Sequence, residues 1–133
     1  MAQTTIDGPA ALRSAVGSHL GYSQWIAIEQ DRIDRFADAT GDREATYLAV
    51  SLSNHFLPQI VEVTGFSMGV NYGADSIRVM TPVAAGDRLR GAAEVVDVAD
   101  VSGGLQTTML ITIELDGSVE PACVIESISR WLL

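Results

Sequence analysis

The sequence predicts an α+β fold in which an antiparallel β-sheet wraps around a long central helix. Residues 47–63 have apolar side chains at helical spacing, whereas the chain after Gly65 changes to short turns, β-branched residues and alternating polarity. Strands that follow one another through short turns pair antiparallel, because parallel neighbours need crossover connections. The length of 133 residues is that of a single domain over residues 1–133.

Two shorter helices are predicted before the central one. Leu12, Val16 and Leu20 have helical spacing, which predicts an N-terminal helix over residues 8–20. Residues 22–28 then form a short strand or an extended arm. A second helix begins at Asp31, with apolar or small residues at i, i+3, i+4 and i+7, and Gly41 ends it.

The central helix is predicted over residues 47–63 and has a broad apolar surface. Such a surface predicts that the helix is buried. Pro58 should kink or restart this helix, because its ring removes an N–H donor and clashes with the preceding turn. The main apolar stripe consists of Leu48, Leu52, Phe56, Ile60 and Val63.

The second half of the chain is predicted to form the sheet. Residues 105–115 alternate between apolar and polar side chains, as in a strand with one face on a core, and Gly-containing turns flank them. A sheet wrapped on one helix leaves strand edges open, which favours a dimer formed by edge pairing. The other strands are expected at residues 66–72, 76–80, 89–101 and 122–132.

The charge restricts the classes of partner. Eight basic residues face seventeen acidic ones, and the formal charge of −9 repels nucleic acid and anionic membrane surfaces. An anionic substrate would therefore need a local basic patch. Its candidates are Arg13, Arg32, Arg35, Arg43, Arg78, Arg88, Arg90 and Arg130.

The sequence gives no sign of targeting, membrane insertion or a cofactor. It has neither a basic start followed by an apolar core nor an apolar run of membrane-spanning length, so a cytoplasmic protein is expected. Two histidines and one cysteine are too few ligands for a metal site, and no cofactor motif is present. Cys123 lies in the apolar run "ACVI" and is expected to be a buried, inert thiol.

Four segments that cover most of the chain resemble one family in their order along the sequence. They are "WIAIEQDRIDRFADATGD", "VSLSNHFLPQIVEVTGFSMGVNYG", "PVAAGDRLRG" and "PACVIESISRWL". Together they resemble the MaoC-like branch of the hot-dog fold, the (R)-specific enoyl-CoA hydratases and dehydratases, and especially its nodulation-protein-N-like members. "PVxxGDxL" alone is only moderately specific, because many hot-dog thioesterases share it, but together with "ADATGD" it makes a strong match.

The resemblance implies a carbon–oxygen lyase of fatty acid metabolism that reversibly hydrates trans-2-enoyl-CoA to (R)-3-hydroxyacyl-CoA. In this family the aspartate of the Gly-Asp pair and a histidine five residues later hold one water, and backbone N–H groups of an "AHG" segment stabilise the enolate oxygen. The aspartate role falls on Asp42. The substrate would be an acyl-CoA or an acyl-carrier-protein thioester, and the assembly a homodimer or half of a heterodimer.

The resemblance also suggests substrate-binding residues. Asn71, Tyr72 and Gly73 form the "NYG" that leads into the strand beside the acyl pocket, although a glycine-bearing bulge with a packed tyrosine explains them equally well. Arg78, together with Arg88 and Arg90, could contact coenzyme A phosphates, although solubility alone would also explain these arginines.

The chain departs from the family pattern directly after Asp42. The residue five positions later is Tyr47 rather than histidine, and about twenty residues that include the histidine and the "AHG" glycine are missing. A packing role is expected for Tyr47, because its unperturbed pKa of about 10 suits proton transfer poorly at neutral pH. His55 and His19 are expected to have structural or solvated roles rather than to replace the missing base.

Three functions therefore compete. The leading hypothesis is an enoyl-thioester hydratase or dehydratase with Asp42 as base. The alternative is an inactive hot-dog scaffold or acyl-binding protein that has lost the histidine-bearing segment. A hot-dog thioesterase is the weakest hypothesis, because it needs a carboxylate on the central helix that faces the pocket, and the only acid in that stretch, Glu62, lies by its C-terminal end.

Overall fold

The structure is a computed structural model that describes residues 3–133. Three helices lie in the first half of the chain, and the long strands lie in the second half. The helices are α1 (Gly8–Ser14), α2 (Gln30–Thr40) and α3 (Leu48–Ile60). The strands are β1 (Thr4–Asp7), β2 (His19–Tyr22), β3 (Ile26–Ala27), β4 (Val61–Thr64), β5 (Met68–Val79), β6 (Arg88–Val101), β7 (Gly104–Leu115) and β8 (Cys123–Leu132).

The main sheet is antiparallel, as predicted, with strand order β2-β6-β7-β8-β5, and β3 extends it by pairing with β6. The alternation of β7 is confirmed, because every second residue faces the helix and is buried. This buried row consists of Leu105, Thr107, Met109, Ile111 and Ile113. It defines the inner face of the sheet, against which α3 packs.

Helix α3 occupies the central position that its apolar stripe predicts, but with 13 residues it is shorter than expected. Phe56 is fully buried, and it packs against the backbone of β6 at Gly91, where an added Cβ would lie 2.6 Å from the Phe56 Cβ. Burial of a phenylalanine contributes about 1.5–3 kcal/mol. The other buried residues of α3 are Leu48, Ala49, Leu52 and Ile60.

The end of the predicted central helix is wrong. Pro58 lies in the last turn of α3, where it cannot donate a backbone hydrogen bond, and the chain becomes extended at Val61. Residues Val61–Thr64 form β4, which pairs in parallel with β1 as a separate two-stranded sheet. Neither β1 nor β4 was predicted.

The N-terminal helix is also shorter than predicted. α1 ends at Ser14, because Gly17 adopts a left-handed φ of 84° and its N–H donates to the carbonyl of Val95 at 2.8 Å. Leu20 is buried, but in β2 rather than in a helix, and Val16 is 44% exposed. The predicted stripe therefore joined residues of two different elements.

The prediction for α2 is confirmed, and that for β5 needs correction. Gly41 has a φ of 80° and closes α2 by donating its N–H to Ala37 at 2.8 Å. The two strands predicted over residues 66–72 and 76–80 form the single strand β5, which accommodates its irregular positions as two bulges. Among the described residues, no helix combines the length and the apolarity needed to cross a bilayer.

Candidate functional site

Asp42 lies in the tight turn of residues 41–47 that connects α2 to α3. Its Oδ2 accepts the backbone N–H of Tyr47 at 3.1 Å, and its own N–H donates to Thr40 Oγ1 at 3.1 Å. The Asp42 carbonyl accepts the N–H of Ala45 at 3.0 Å. These bonds hold the carboxylate at the N-terminus of α3, where the helix dipole favours a negative charge.

Tyr47 occupies the position expected for the histidine, but its side chain does not pack. It is 54% exposed, so the predicted packing role is wrong within this chain. Its backbone closes the turn, because its N–H donates to Asp42 and its carbonyl accepts the N–H of Ser51 at 2.9 Å.

Neither histidine lies in the turn beside Asp42. His55 is exposed on α3, eight residues after Tyr47 and therefore about 12 Å further along the helix axis, with its ring edge-on to Phe56 at 5.5 Å between centroids. His19 lies on β2, and its Nδ1 accepts the N–H of Gly21 at 3.1 Å. The described residues thus place a carboxylate in this turn without an imidazole partner.

The predicted "NYG" residues lie on β5, at the edge of the main sheet. Asn71 pairs with Ser129, which pairs with the buried Thr107, so Asn71 belongs to the inner face. Tyr72 lies at a bulge and is 58% exposed, with the Arg130 guanidinium 3.8 Å from its ring centroid. The alternative explanation expected a packed tyrosine, but Tyr72 instead stacks on Arg130 at the surface.

The remaining "NYG" residue and Arg78 lie further along the exposed strand. Gly73 pairs with Ile128, and an added Cβ there would meet no atom within 4 Å. Arg78 follows Ile77, which pairs with the buried Ile125 of the inner face. Arg78 therefore belongs to the outer face, away from α3.

Two other arginines considered for phosphate binding already have carboxylate partners. Arg88 lies 3.0 Å from Asp116, and Arg90 lies 2.6 Å from Glu114. The Arg90 guanidinium also lies 4.1 Å from the ring centroid of Tyr22 and 4.6 Å from that of Trp25.

A small apolar pocket of about 240 Å³ lies at the C-terminal end of α3, and the sequence did not predict it. The indole of Trp131 lines it, donates to the buried Thr107 Oγ1 at 3.0 Å, and occupies the space beside Gly69. The sequence signal for this pocket is a glycine, Gly69, that pairs with a tryptophan, Trp131, on the neighbouring strand, but this pairing is known only once the register of the strands is known. The other lining residues include Asn54, Leu57, Pro58, Met109 and Ser129.

A larger groove of about 730 Å³ lies between α2 and the first half of α3. We call it the α2–α3 groove. Phe36, Leu48 and Leu52 form its apolar lining, and Arg32 is among its charged residues. Asp42 and the predicted substrate-binding residues of β5 do not line it. The structure thus separates the predicted site residues into a turn beside α3 and the edge strand β5.

Other candidate chemistry is not supported by the residues that the structure describes. Cys123 is fully buried, and burial raises the pKa of its thiol to about 12, which confirms the inert role. Glu62 lies exposed in β4, so the helical carboxylate required by the thioesterase hypothesis is missing from α3. Residues 3–133 contain no cluster of three or more potential metal ligands among His, Cys, Asp and Glu.

Comparisons with known proteins identify relatives over nearly the whole chain. The chain is 32% identical to 3-hydroxyacyl-thioester dehydratase Z of Mycobacterium tuberculosis, over 96% of this chain and 98% of that protein. It is 34% identical to nodulation protein N of Rhizobium leguminosarum bv. viciae, over 85% of this chain and 84% of that protein. No protein-family model matches the chain.

Solved structures share the fold at low sequence identity. The MaoC-like dehydratase of Rhodospirillum rubrum superposes with a TM-score of 0.72 at 13% identity, over 89% of this chain and 92% of that chain. The (R)-hydratase of A. caviae superposes with a TM-score of 0.58 at 18% identity, over 86% of this chain and 98% of that chain.

In the alignment with the mycobacterial dehydratase, this chain has fewer residues than there are aligned positions. The alignment extends over 148 positions, whereas 96% of 133 residues is about 128, so about 20 aligned positions have no residue here. This number equals the size of the segment that the sequence pattern suggests is missing after Asp42.

Proposed function

This chain belongs to the MaoC-like hydratase and dehydratase family and has the hot-dog fold, and from this we propose that it reversibly hydrates a trans-2-enoyl thioester to the (R)-3-hydroxyacyl thioester. The observation that supports this most strongly is the 32% identity to a 3-hydroxyacyl-thioester dehydratase over almost the full length of both chains. The thioester carrier in this proposal is coenzyme A or an acyl carrier protein.

Asp42 is the general base in this proposal. Its Oδ2 is held by the Tyr47 N–H, whereas its Oδ1 has no hydrogen-bond partner in the described part of the chain. A carboxylate with one oxygen fixed and the other open can orient a water and accept its proton. The position at the start of α3 also keeps the carboxylate next to the core helix that packs against the sheet.

The pocket beside Trp131 is suited to the end of the acyl chain. Along α3, Asn54 and Pro58 lie roughly 10 Å and 16 Å beyond Tyr47, from the helical rise per residue. A thioester whose reactive carbons lie at the start of α3 would therefore place the end of a medium-length acyl chain in this pocket. Asn71 lies beside the pocket through its pairing with Ser129 and is the "NYG" residue that we propose contacts substrate.

A second candidate function is acyl-thioester binding without efficient catalysis. The specific observation in its favour is that residues 41–47 connect the two helices without any histidine. Loss of one general acid or base typically costs 10²–10⁴-fold in rate. The two candidates thus share the binding site and differ in turnover.

Hydration of crotonyl-CoA by mass-verified protein, followed as loss of enoyl absorbance, tests the proposal. Measurable turnover that disappears in Asp42→Asn would support a hydratase with Asp42 as base. Absence of turnover in both proteins, together with saturable binding of the saturated butyryl-CoA, would favour the binding protein. If neither turnover nor binding occurred, both candidate functions would fail.

We also propose a homodimer formed through β5. Within the part of the chain that the structure describes, this strand has a neighbour on one side only. It exposes Met68, Val70 and Tyr72, which is the kind of edge that pairs with a second copy. Sedimentation equilibrium should give twice the chain mass, and Val70→Lys should shift the protein toward monomer. A wild-type monomer at all concentrations would refute the dimer. The cytoplasmic location stays a prediction.

A further inference from the structure

The ion pairs of the chain leave few arginines available for an anionic ligand. Five arginines lie within 4.0 Å of a carboxylate, and Arg130 donates to Gln106 and stacks on Tyr72. Over residues 3–133, Arg32, Arg78 and Arg130 have no carboxylate partner, and Arg32 and Arg78 also form no side-chain hydrogen bond. The five pairs are Arg13–Asp100, Arg35–Asp31, Arg43–Asp38, Arg88–Asp116 and Arg90–Glu114.

Of Arg32 and Arg78, Arg32 is the one that lies at a groove beside α3. Arg32 belongs to the first turn of α2 and lines the α2–α3 groove. Arg78 belongs to the outer face of β5, away from α3. Arg32 is exposed at the groove, whose lining among residues 3–133 contains two acidic and two basic residues, so in a chain with a formal charge of −9 this groove is locally neutral and Arg32 offers an anion an unpaired cation.

The groove combines this cation with an apolar wall. Phe36, Leu48 and Leu52 line the wall, and Ser51 adds a hydroxyl. The volume of about 730 Å³ lies within the ~300–1,000 Å³ range of small-molecule sites. The groove also reaches the first two turns of α3, which begins directly after the turn that contains Asp42.

We infer that the α2–α3 groove binds the phosphopantetheine arm of the thioester, with Arg32 contacting its phosphate. This inference rests on the proposed function, because both carriers present the same arm. A guanidinium forms strong, charge-assisted hydrogen bonds to a phosphate, and the apolar wall receives the carbon atoms of the arm. The thioester end then points along the groove toward the start of α3.

Among the described residues, the groove has three further charged residues, Glu29, Asp31 and Arg35. Glu29 lines the same groove and repels a phosphate, so its neutral variant should bind more tightly. Arg35 lies 3.1 Å from Asp31, and both side chains are largely exposed, so their pair contributes little net charge to the groove. Arg32→Gln and Glu29→Gln should therefore change affinity in opposite directions.

Calorimetric titration with saturated ligands tests the inference without any need for turnover. Butyryl-CoA and butyryl-4′-phosphopantetheine contain the arm phosphate, whereas butyryl-pantetheine lacks it. Arg32→Gln should weaken the binding of both phosphate-containing ligands about tenfold, and this difference from the wild type should be smaller at high salt. The affinity for butyryl-pantetheine should stay unchanged. Arg13→Gln, which removes an exposed paired arginine on α1, is the matched control and should bind like the wild type.

Other outcomes have distinct meanings. A loss that occurs with Arg78→Gln instead of Arg32→Gln would overturn the assignment of the groove. If Arg32→Gln weakened the binding of butyryl-CoA alone, Arg32 would contact the nucleotide phosphates, and the proposed contact with the arm phosphate would be wrong. Wild-type binding with no effect of Arg32→Gln would refute the inference but leave the proposed function intact, whereas no binding of any ligand would refute both.

The same variants distinguish the two sources of the arm. Butyryl-loaded acyl carrier protein presents the arm phosphate as a diester, and coenzyme A presents it as one half of the diphosphate that joins the arm to the nucleotide. If the carrier protein is the natural source, it should bind the wild type more tightly than butyryl-CoA does, and Arg32→Gln should weaken both. An effect of Arg32→Gln on neither source would contradict the contact with the phosphate.

Discussion

Substitution of Asp42 should separate its structural contribution from its catalytic one. Asp42→Ala removes the acceptor of the Tyr47 N–H at the start of α3. Loss of such a helix-terminal acceptor costs ~1 kcal/mol, which corresponds to a decrease in Tm of roughly 3–5 °C for a domain of this size. Asp42→Asn retains an amide oxygen as acceptor and loses only the charge near the helix N-terminus, worth about 0.3–1 kcal/mol.

The two variants should differ in stability but not in their hydration rates. Neither alanine nor asparagine can accept a proton from water, so both variants should lower the hydration rate by about 10²–10⁴-fold relative to whatever the wild type shows. Thermal unfolding followed by circular dichroism, with crotonyl-CoA hydration measured on the same samples, gives both quantities. An Asp42→Asn protein as active as the wild type would show that Asp42 is a structural cap and not the base.

Three further predictions concern packing, pH and the missing segment. Gly91→Ala should lower the free energy of unfolding by about 1–3 kcal/mol in urea titrations, since the new Cβ meets Phe56, whereas Gly73→Ala, which meets no atom within 4 Å, should cost much less; equal costs would contradict the packing of α3 on β6. The pKa of Cys123 is raised from 9.0 to about 12, so above pH 9 the unfolded thiol ionises while the folded one stays protonated. The free energy of unfolding should therefore fall between pH 9 and 12, and less steeply in Cys123→Ala; identical slopes would refute this contribution. Insertion of the additional residues of the mycobacterial dehydratase between α2 and α3 should raise crotonyl-CoA hydration by about 10²–10⁴-fold over this chain, and an insertion of equal length rich in Gly and Ser should not.

The sequence by itself determined the elements whose signals are local. The stripe of α2 and its terminal Gly41 predicted that helix, and the alternation in β7 predicted which side chains are buried. The predictions for α2 and β7 hold because helical and strand periodicity and glycine conformation depend on neighbouring residues. The "ADATGD" and "PVxxGDxL" segments indicated the family, whereas the shortening of the chain between "GD" and α3 stays a prediction.

Only the tertiary structure decided the features that depend on contacts between distant residues. Val61–Thr64 forms a strand because β1, more than fifty residues earlier, is available to pair with it. Trp131 lines a pocket because Gly69 and Thr107 on neighbouring strands make room for the indole and accept its N–H.

The charges of the candidate site follow the same rule. Eight arginines are equivalent in the sequence, and among the described residues folding gives five of them a carboxylate partner, such as Asp100 for Arg13. Folding also leaves Arg32 in the α2–α3 groove without one. The sequence thus determined which residue types are present, but which charges are neutralised depends on distances that exist only after the chain has folded.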